Sequence, residues 1–544
     1  MQRRRRLREL LEPRMDRPLP PWMIFPVIFA ALYASHYTLL RLPYYWDEAG
    51  YYIPAAWDFF RTGSLIPTTT LGNAHPPLES VYLALWWKLS GFSPEVTREA
   101  VLLAAALGLL AVWRLAMRLT RSASVAFWTV VLTGLYPVWF AQSTLAQADI
   151  FAAACALWGL VCALPERDGA GAPKAWAAAL WFAAAALSKE TAVAIPLTLA
   201  AASAWEAWKK HERARWRDVL WLCAPALPLA GWYVWFHTKT GWWFGDPEFV
   251  RYNAEATLAP VRIAAALGYR LLHLTAHMNL FVPVMMMLAA WLLLEPRKTA
   301  DGQERVTICG AARGRMLLLL AMNAVLFSVL GGALLTRYLL PMYPLVLLMA
   351  VATFYRRVPW WPVMAAFCAG AFVLGLNVNP PYRFAPEDNL EYARVVRMDL
   401  AGIRELQKLY PDARVLTAWP VKDELRKPEL GYVKEPWDVE AIDDFSAEQV
   451  AKAATEPEKY SAALVFSTKY EPPGLPWRLG PDEERLDERY FDLHHDLTPE
   501  EIAMRLGGKL VWEQRSAGMW IAILRFERQY EAVGGAEVGA QAGR

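Results

Sequence analysis

The sequence predicts a polytopic α-helical membrane protein that ends in a soluble α/β domain. Three observations lead to this prediction. The 544 residues are 56% hydrophobic and 20% charged, too apolar for a soluble protein and too charged for one that lies wholly in a bilayer. Apolar segments of about 20 residues, the length that crosses a bilayer, recur as far as Leu376. From about Pro380 onward charged residues are frequent and the apolar runs shrink to strand length.

Composition also argues against several classes of function and site. The net charge is only +3, which does not suggest a nucleic-acid partner. The five cysteines show neither a disulfide framework nor the spacing of metal ligands. Many of the 27 tryptophans flank apolar runs, as expected for rings at the level of the lipid headgroups.

About eleven membrane spans are predicted from the apolar segments. Their predicted ranges are Pro21–Leu40, Val96–Leu119, Ser124–Phe140, Ala148–Leu164, Ala175–Leu187, Ala192–Trp208, Val219–His237, Ala276–Leu294, Met316–Leu330, Tyr338–Tyr355 and Trp360–Leu376.

The distribution of basic residues predicts how these spans are oriented. The arginine-rich N-terminus should stay in the cytoplasm, because cytoplasmic ends and loops carry an excess of Lys and Arg. The first span is too long for a signal peptide and no cleavage pattern follows it, so we expect a retained anchor. Four of the five connections then assigned to the cytoplasm are rich in Lys and Arg. The first loop and the C-terminal domain are thereby expected on the outer face, the periplasmic side of a bacterial inner membrane.

Four regions are predicted along the chain. They are a basic cytoplasmic N-terminus over residues 1–20, a transmembrane domain over 21–380 with a first outer loop over 43–80, a soluble domain over 381–533, and a flexible tail over 534–544. In the soluble domain, β-branched and aromatic residues predict the strands Val415–Trp419, Ala462–Phe466, Lys509–Gln514 and Trp520–Phe526. Periodicity and helix-start signals predict the helices Asn389–Leu409, Ser446–Ala454 and Thr498–Leu506.

Asp47 and Glu48 are the first candidate site residues, because two adjacent carboxylates directly follow the first span. An ordinary acidic pair at a water interface would show the same pattern. Asp149 opens a later span on the same predicted face, where an ionisable group is a functional candidate or a helix N-terminal acid favoured by the macrodipole.

Cations recur on the same predicted face. Arg337 is either a phosphate clamp, since guanidinium matches phosphate oxygens in a bidentate way, or an arginine that reaches the headgroups. Lys189 and Glu190 are either an exposed pair that contributes little or a second cation for a phosphate. His75 is followed by two prolines that restrict its backbone; it binds a phosphate, joins a metal site or merely packs. His273 and His277 have the spacing of metal ligands on a helix, but no carboxylate adjoins them and a helix face at the interface is favoured.

Apart from the two histidines at 273 and 277, these candidate residues lie in five motifs. The motifs resemble those of the GT-C class of integral-membrane glycosyltransferases. The resemblance is to the branch that includes the aminoarabinose lipid A transferases, the protein O-mannosyltransferases and the Rgt-type transferases, and it covers roughly Pro21 to Leu376. His75 stands where that family often has Lys. The motifs are Tyr45-Trp46-Asp47-Glu48-Ala49, His75-Pro76-Pro77-Leu78, Gln147-Ala148-Asp149-Ile150, Leu187-Ser188-Lys189-Glu190-Thr191 and Arg337-Tyr338-Leu339-Leu340-Pro341.

The resemblance implies a GT-C fold and transfer of a sugar, with inversion, from a polyprenyl-phosphate donor to a lipid, glycan or protein acceptor outside the cytoplasm. The chemistry agrees, because an acceptor hydroxyl needs a base such as Asp47 and a phosphate leaving group needs cations such as Arg337 and Lys189. Glu48 and Asp149 would orient the base or the acceptor. The expected substrate-binding set is His75, Lys189, Glu190, Arg337 and Tyr338. The sequence implies no particular cofactor, and whether a divalent cation bridges Asp47 and Asp149 stays open.

Two other classes of protein compete with this hypothesis. A transporter or flippase of a lipid-linked or anionic substrate would place ionisable residues near the middle of spans and often shows two related halves. Here the candidates cluster at the predicted outer edges, and no internal repeat is visible. A non-enzymatic assembly or receptor protein would leave the shared location of Asp47, Asp149 and Arg337 unexplained.

Overall fold

A computed structural model describes residues 20–70, 72–166, 174–251, 257–299, 302, 304–305, 307–473 and 482–526. The predicted basic N-terminus up to residue 19, most of the connection at 165–174 and the predicted tail at 534–544 lie outside the described residues. The chain divides into two compact units. A helical unit comprises Met1–Arg41, Tyr51–Asn379 and Glu387–Glu391, and an α/β unit comprises Leu42–Gly50, Pro380–Pro386 and Tyr392–Arg544.

The helical unit is a succession of mostly apolar helices. In chain order they are α1 Pro21–His36, α2 Ile53–Thr62, α3 Leu78–Ser90, α4 Pro94–Thr120, α5 Ala123–Leu135, α6 Pro137–Gln142, α7 Ala148–Ala163, α8 Ala175–Ser188, α9 Ala194–Lys210, α10 Ala214–Cys223, α11 Ala226–Thr240, α12 Pro247–Val250, α13 Pro260–Thr275, α14 Phe281–Leu293, α15 Gly310–Val329, α16 Tyr343–Arg357 and α17 Trp361–Asn377.

Local sequence explains where these helices start and how closely they pack. Before α4, the Ser93 side chain accepts a hydrogen bond from the Val96 N–H and Pro94 occupies the first turn, the residue types preferred at those positions. The alanine-rich helices α7 and α8 pack against each other. A Cβ at Gly159 of α7 would lie only 2.4 Å from the Phe182 ring of α8, so this contact requires glycine.

Four helical segments in the described part of the chain are long and apolar enough to cross a membrane. They are Trp22–Leu39, Pro94–Thr120, Arg215–Thr240 and Gly310–Val329. The bent pair Pro260–Asn279 and Phe281–Leu293 makes a fifth if it is one span, and shorter apolar helices occur at Ala123–Leu135, Ala148–Ala163, Ala175–Ser188 and Trp361–Asn377. The chain is thus a multi-pass membrane protein, whereas the count of eleven spans stays a prediction.

The bent pair differs from the span predicted at Ala276–Leu294. Its two arms meet at 99°, and Met278 at the bend has a left-handed backbone with φ 48°. The first arm contains α13, a helix that was not predicted. Arg262 and Arg270 interrupt its apolar run, yet both side chains are buried.

The α/β unit contains one mixed five-stranded sheet. Its strands are β1 Val415–Ala418, β2 Val439–Ile442, β3 Ala462–Phe466, β4 Lys509–Ser516 and β5 Met519–Arg525. They lie in the order β2-β1-β3-β5-β4, parallel from β2 to β3 and antiparallel from β3 to β4. The helices are α18 Glu391–Leu409, α19 Val421–Arg426, α20 Ala447–Ala453, α21 Glu483–Tyr490 and α22 Pro499–Leu506.

The predicted elements of this unit are confirmed within a few residues. Before α22, Thr498 and Glu501 form the reciprocal capping box that the hydroxyl-then-glutamate signal predicts. Strand β2 was missed, because it has four residues and carries a half-buried glutamate, Glu440. The predicted limits of the unit also differ, since Leu42–Gly50 cluster with the α/β unit and Glu387–Glu391 with the helical unit.

Two buried carboxyl groups in the α/β unit make its stability depend on pH. Burial raises the pKa of Asp399 to about 8, and burial together with the neighbouring Asp399 raises the pKa of Glu424 well above its ordinary value. The folded unit therefore holds protons that the unfolded chain releases at about pH 4. Stability contributed by the protonated Asp399 is complete below that pH and is lost as the pH rises through 8. Glu424 contributes in the same direction.

We expect Glu424→Gln to raise the melting temperature of the full-length, detergent-solubilised protein at pH 9. A neutral amide at this position cannot become a buried charge. The expected rise is about 3 °C or more, the shift that roughly 1 kcal/mol gives in a domain of this size. At pH 5 the variant and the unsubstituted protein should have nearly the same melting temperature. The exposed Glu435→Gln is the matched control, and an equal shift at both pH values would contradict the prediction.

Candidate active site

Asp149 lies between two cations that are distant in the chain. It is in the first turn of α7 and is 3% exposed. Its Oδ1 lies 2.5 Å from the Nζ of Lys189, and its Oδ2 lies 3.3 Å from the Nε of Arg337. The structure therefore brings together three of the predicted site residues. Asp149 pairs with two cations, and it also lies at a helix N-terminus, where a negative charge is favourable.

A second carboxylate, Glu387, holds Arg337 from the other side. The Nη1 of Arg337 bonds to the Oε1 of Glu387, and the Nε2 of Gln147 donates to the Oε2 at 2.9 Å. All three side chains are buried. Arg337 is thus fixed by two carboxylates, which places its guanidinium with little freedom to reorganise.

The next residue, Asp388, extends this arrangement. Its Oδ1 accepts a hydrogen bond from the Thr336 hydroxyl, and its Oδ2 lies 2.9 Å from the Nε2 of His277 at the bend between α13 and α14. Two neighbouring residues are therefore paired with two other neighbouring residues, Thr336 with Asp388 and Arg337 with Glu387. His273 and His277 have rings 5.3 Å apart, but no group of three potential metal ligands occurs in the described part of the chain.

The arginines of α13 hold the segment that leads to Arg337. Arg262 Nη2 donates to the Gly331 carbonyl at 2.6 Å. Arg270 donates from Nε to the Phe327 carbonyl at 3.1 Å and from Nη1 to the Leu335 carbonyl at 2.7 Å. The segment before Arg337, which contains Gly331, is thereby hydrogen-bonded to α13 at three carbonyls.

Cations also surround the ring of Tyr338. The Nζ of Lys189 lies 4.2 Å from its centroid and the Cζ of Arg270 lies 5.5 Å from it, within the range of cation–π attraction. Arg270 is fully buried, and its Nη2 has no hydrogen-bond partner in the described structure. A buried, unsatisfied guanidinium nitrogen that shares an aromatic ring with a second cation, Lys189, is suited to an anionic ligand.

His75 and Glu190 form a second pair next to Lys189. The Nδ1 of His75 lies 3.0 Å from the Oε2 of Glu190, and the rings of Tyr51 and Tyr52 pack beside the imidazole. Glu190 lies in the turn between α8 and α9, outside both helices. Burial opposes its ionisation, but the charge and hydrogen bond of His75, with Lys189, lower the pKa of Glu190 to about 2.

Asp47 and Glu48 belong to the α/β unit. Asp47 is half-buried and follows Trp46, whose backbone is left-handed with φ 46°. Glu48 is fully buried, and its Oε2 accepts a hydrogen bond from the Tyr45 N–H at 2.9 Å. Glu48 therefore fixes the backbone immediately before Asp47.

Sequence reasoning missed Glu387, Asp388, Arg262 and Arg270. The two acids follow Pro380, where the composition already indicates a soluble domain, and belong to no motif. The two arginines share one face of an amphipathic helix at i and i+8, a pattern that equally suits a surface helix.

Comparison with known proteins shows what this chain is similar to. A family model described as dolichyl-phosphate-mannose-protein mannosyltransferase matches residues 74–235, less than half of the chain. A search of curated proteins found no match.

Solved structures of ArnT from Cupriavidus metallidurans share the fold. The structure bound to undecaprenyl phosphate is 14% identical, with 93% of this chain and 98% of that chain covered and a TM-score of 0.51. The apo structure is 15% identical with the same coverage and a TM-score of 0.50. This likeness confirms the predicted GT-C fold, with its membrane helices and C-terminal sheet region. Together with the family-model match over residues 74–235, this shared fold makes the chain similar to membrane glycosyltransferases of the GT-C class.

Proposed function

We propose that this enzyme transfers a sugar from a polyprenyl-phosphate donor to a hydroxyl of a lipid, glycan or protein acceptor. The observation that carries the proposal is the convergence of Lys189, Arg337 and Arg270 around Asp149 and Tyr338. Asp149 and Glu387 already pair with Lys189 and Arg337, but Arg270 donates to backbone carbonyls rather than to a carboxylate. A buried cation of this kind is costly unless it meets an anion. The family description names a dolichyl-phosphate sugar, and one ArnT structure holds undecaprenyl phosphate, which supports a lipid phosphate as that anion.

The cations would act on the leaving group. As the bond between the anomeric carbon and the phosphate oxygen breaks, negative charge grows on the lipid phosphate. Lys189 and Arg337 are already oriented by carboxylates, so they would stabilise this charge without rearranging. Arg270 would add a third donor through its unsatisfied Nη2.

Asp47 would be the general base. The acceptor oxygen attacks the anomeric carbon from the face opposite the phosphate, and its proton passes to the Asp47 carboxylate. One displacement of this kind inverts the anomeric configuration. Glu48 would orient the base by fixing the Tyr45 N–H, and Asp149 would orient the cations.

The loop charges support an outward-facing enzyme. We propose that the chain lies in a bacterial inner membrane, with its α/β unit and its reaction on the periplasmic side, because the predicted cytoplasmic connections carry the excess of Lys and Arg. Reporter fusions after residues 41 and 380 test this orientation, and a cytosolic signal at either position would contradict it.

Transfer of radiolabelled sugar tests the function directly. Purified enzyme in detergent is mixed with a crude pool of polyprenyl-phosphate-linked sugars and an envelope extract, and the labelled product is identified. We expect label to leave the lipid donor and enter an acid-stable acceptor. Label that crosses a reconstituted vesicle membrane while still attached to its lipid would instead indicate a flippase.

His75 should help to bind the donor phosphate while Glu190 holds its ring. Because the pKa of Glu190 is lowered to about 2, Glu190 keeps its charge at every working pH and remains a partner for His75. His75→Lys should keep activity, because an ammonium also pairs with a phosphate, while His75→Ala should raise donor KM roughly tenfold. Initial rates at varied donor concentration measure both effects, and an unchanged donor KM in His75→Ala would contradict this role.

A further inference from the structure

The segment that contains Asp47 packs into the α/β unit through a series of specific contacts. The Tyr44 N–H donates to the Leu430 carbonyl at 3.4 Å, and the Tyr432 hydroxyl donates to the Tyr44 carbonyl at 2.9 Å. Tyr44, Tyr45, Glu48 and Ala49 are all at most 4% exposed. This nine-residue piece of chain is therefore hydrogen-bonded to the rest of the unit and is largely buried, like a core element.

Trp419 makes two further contacts with this segment. It directly follows β1, and its ring meets that of Trp46 edge to face at a centroid distance of 4.7 Å. Aromatic pairs favour this arrangement. On the other side of Asp47, a Cβ added to Gly50 would lie 2.8 Å from the Trp419 ring. One indole therefore contacts the chain immediately before and shortly after Asp47.

The backbone at Trp46 explains why such a contact is needed. A left-handed φ of 46° is unfavourable for a bulky residue, and such conformations persist only where the surroundings impose them. The peptide that leads into Asp47 is thus in a conformation that the segment alone would not keep.

We infer that the α/β unit is a positioning element for Asp47, with Trp419 and Tyr432 as positioning residues that act through the backbone of Leu42–Gly50. This inference rests on the proposed function, in which Asp47 is the base. Catalytic groups must be held to within a fraction of an ångström by the residues around them. The role of the α/β unit is then to set kcat, whereas donor binding belongs to the cations of the helical unit.

Hydrogen exchange and kinetics on the full-length protein in detergent test the inference. For Trp419→Ala, we expect the peptide over residues 42–52 to exchange at least tenfold faster, with kcat lowered at least tenfold and donor KM unchanged. Trp419→Phe keeps an aromatic edge and should restore most of both. Tyr432→Phe removes only one hydroxyl and should give a smaller change of the same kind.

Trp512→Ala is the matched control, because this half-buried tryptophan lies in β4, at the opposite edge of the sheet from β2. It should alter neither measurement. Unchanged exchange of residues 42–52 in Trp419→Ala and Tyr432→Phe would overturn the positioning inference. Faster exchange with an unchanged kcat would leave the contact established and would instead overturn the assignment of Asp47 as the base.

Discussion

Asp47→Asn is expected to lower sugar transfer at least 100-fold while the protein still inserts into the membrane. An amide cannot accept the acceptor proton, and positioned general bases typically contribute 10²–10⁴ to the rate. The side chain keeps its size, so the packing of Leu42–Gly50 should survive. Donor KM should stay within about twofold, because the cations that meet the phosphate are unchanged. The measurement is kcat and donor KM with the labelled donor.

The control for this variant is Asp412→Asn, an exposed aspartate of the same α/β unit. It should transfer sugar at the parent rate. Elution of Asp47→Asn as a monodisperse peak in detergent shows that it is folded. Normal transfer by that folded variant would remove Asp47 from the mechanism.

Arg337→Ala should have the second large effect, on both donor KM and kcat. Loss of one preorganised donor at a developing charge typically costs 10²–10³ in rate. Arg337→Lys should retain part of the activity, because an ammonium keeps the charge but cannot bridge Asp149 and Glu387 as a guanidinium does. Steady-state rates at varied donor concentration measure the effect.

The alanine variant also leaves two buried carboxylates without their shared cation, which destabilises the fold. The double variant Arg337→Ala/Glu387→Gln removes one of these charges and should insert normally while staying inactive. Arg41→Ala is the matched control, because Arg41 is an exposed arginine whose partner is Glu95. If the folded double variant transferred sugar at the rate of the unsubstituted protein, the role of Arg337 as a phosphate clamp would be disproved.

Much of the helical pattern could be predicted, because a membrane span leaves a strong apolar signal in the sequence. The same signal failed at α13, where Arg262 and Arg270 lower the hydropathy although both are buried. Their charges are tolerated because backbone carbonyls of the segment before Arg337 accept their hydrogen bonds. No local pattern encodes such a partnership, since the carbonyls belong to residues 57 to 69 positions away.

The candidate site could be predicted only where its residues stand in motifs. Asp149, Lys189 and Arg337 each stand in a recognisable motif, and the structure brings them together. Glu387 and Asp388 have no motif and lie where composition changes towards a soluble domain. The packing of Leu42–Gly50 with the α/β unit depends on Leu430 and Tyr432, nearly 400 residues away, a distance over which sequence patterns carry no information.

The position of Glu387 constrains how the enzyme is made. During biosynthesis, α7 and Arg337 emerge long before Glu387, which follows the last apolar helix. Until then Arg337 lacks one of the two carboxylates that hold it. Nascent chains that stop before residue 387 should therefore be recognised as defective by membrane quality control and be degraded, even though every apolar helix has already been synthesised.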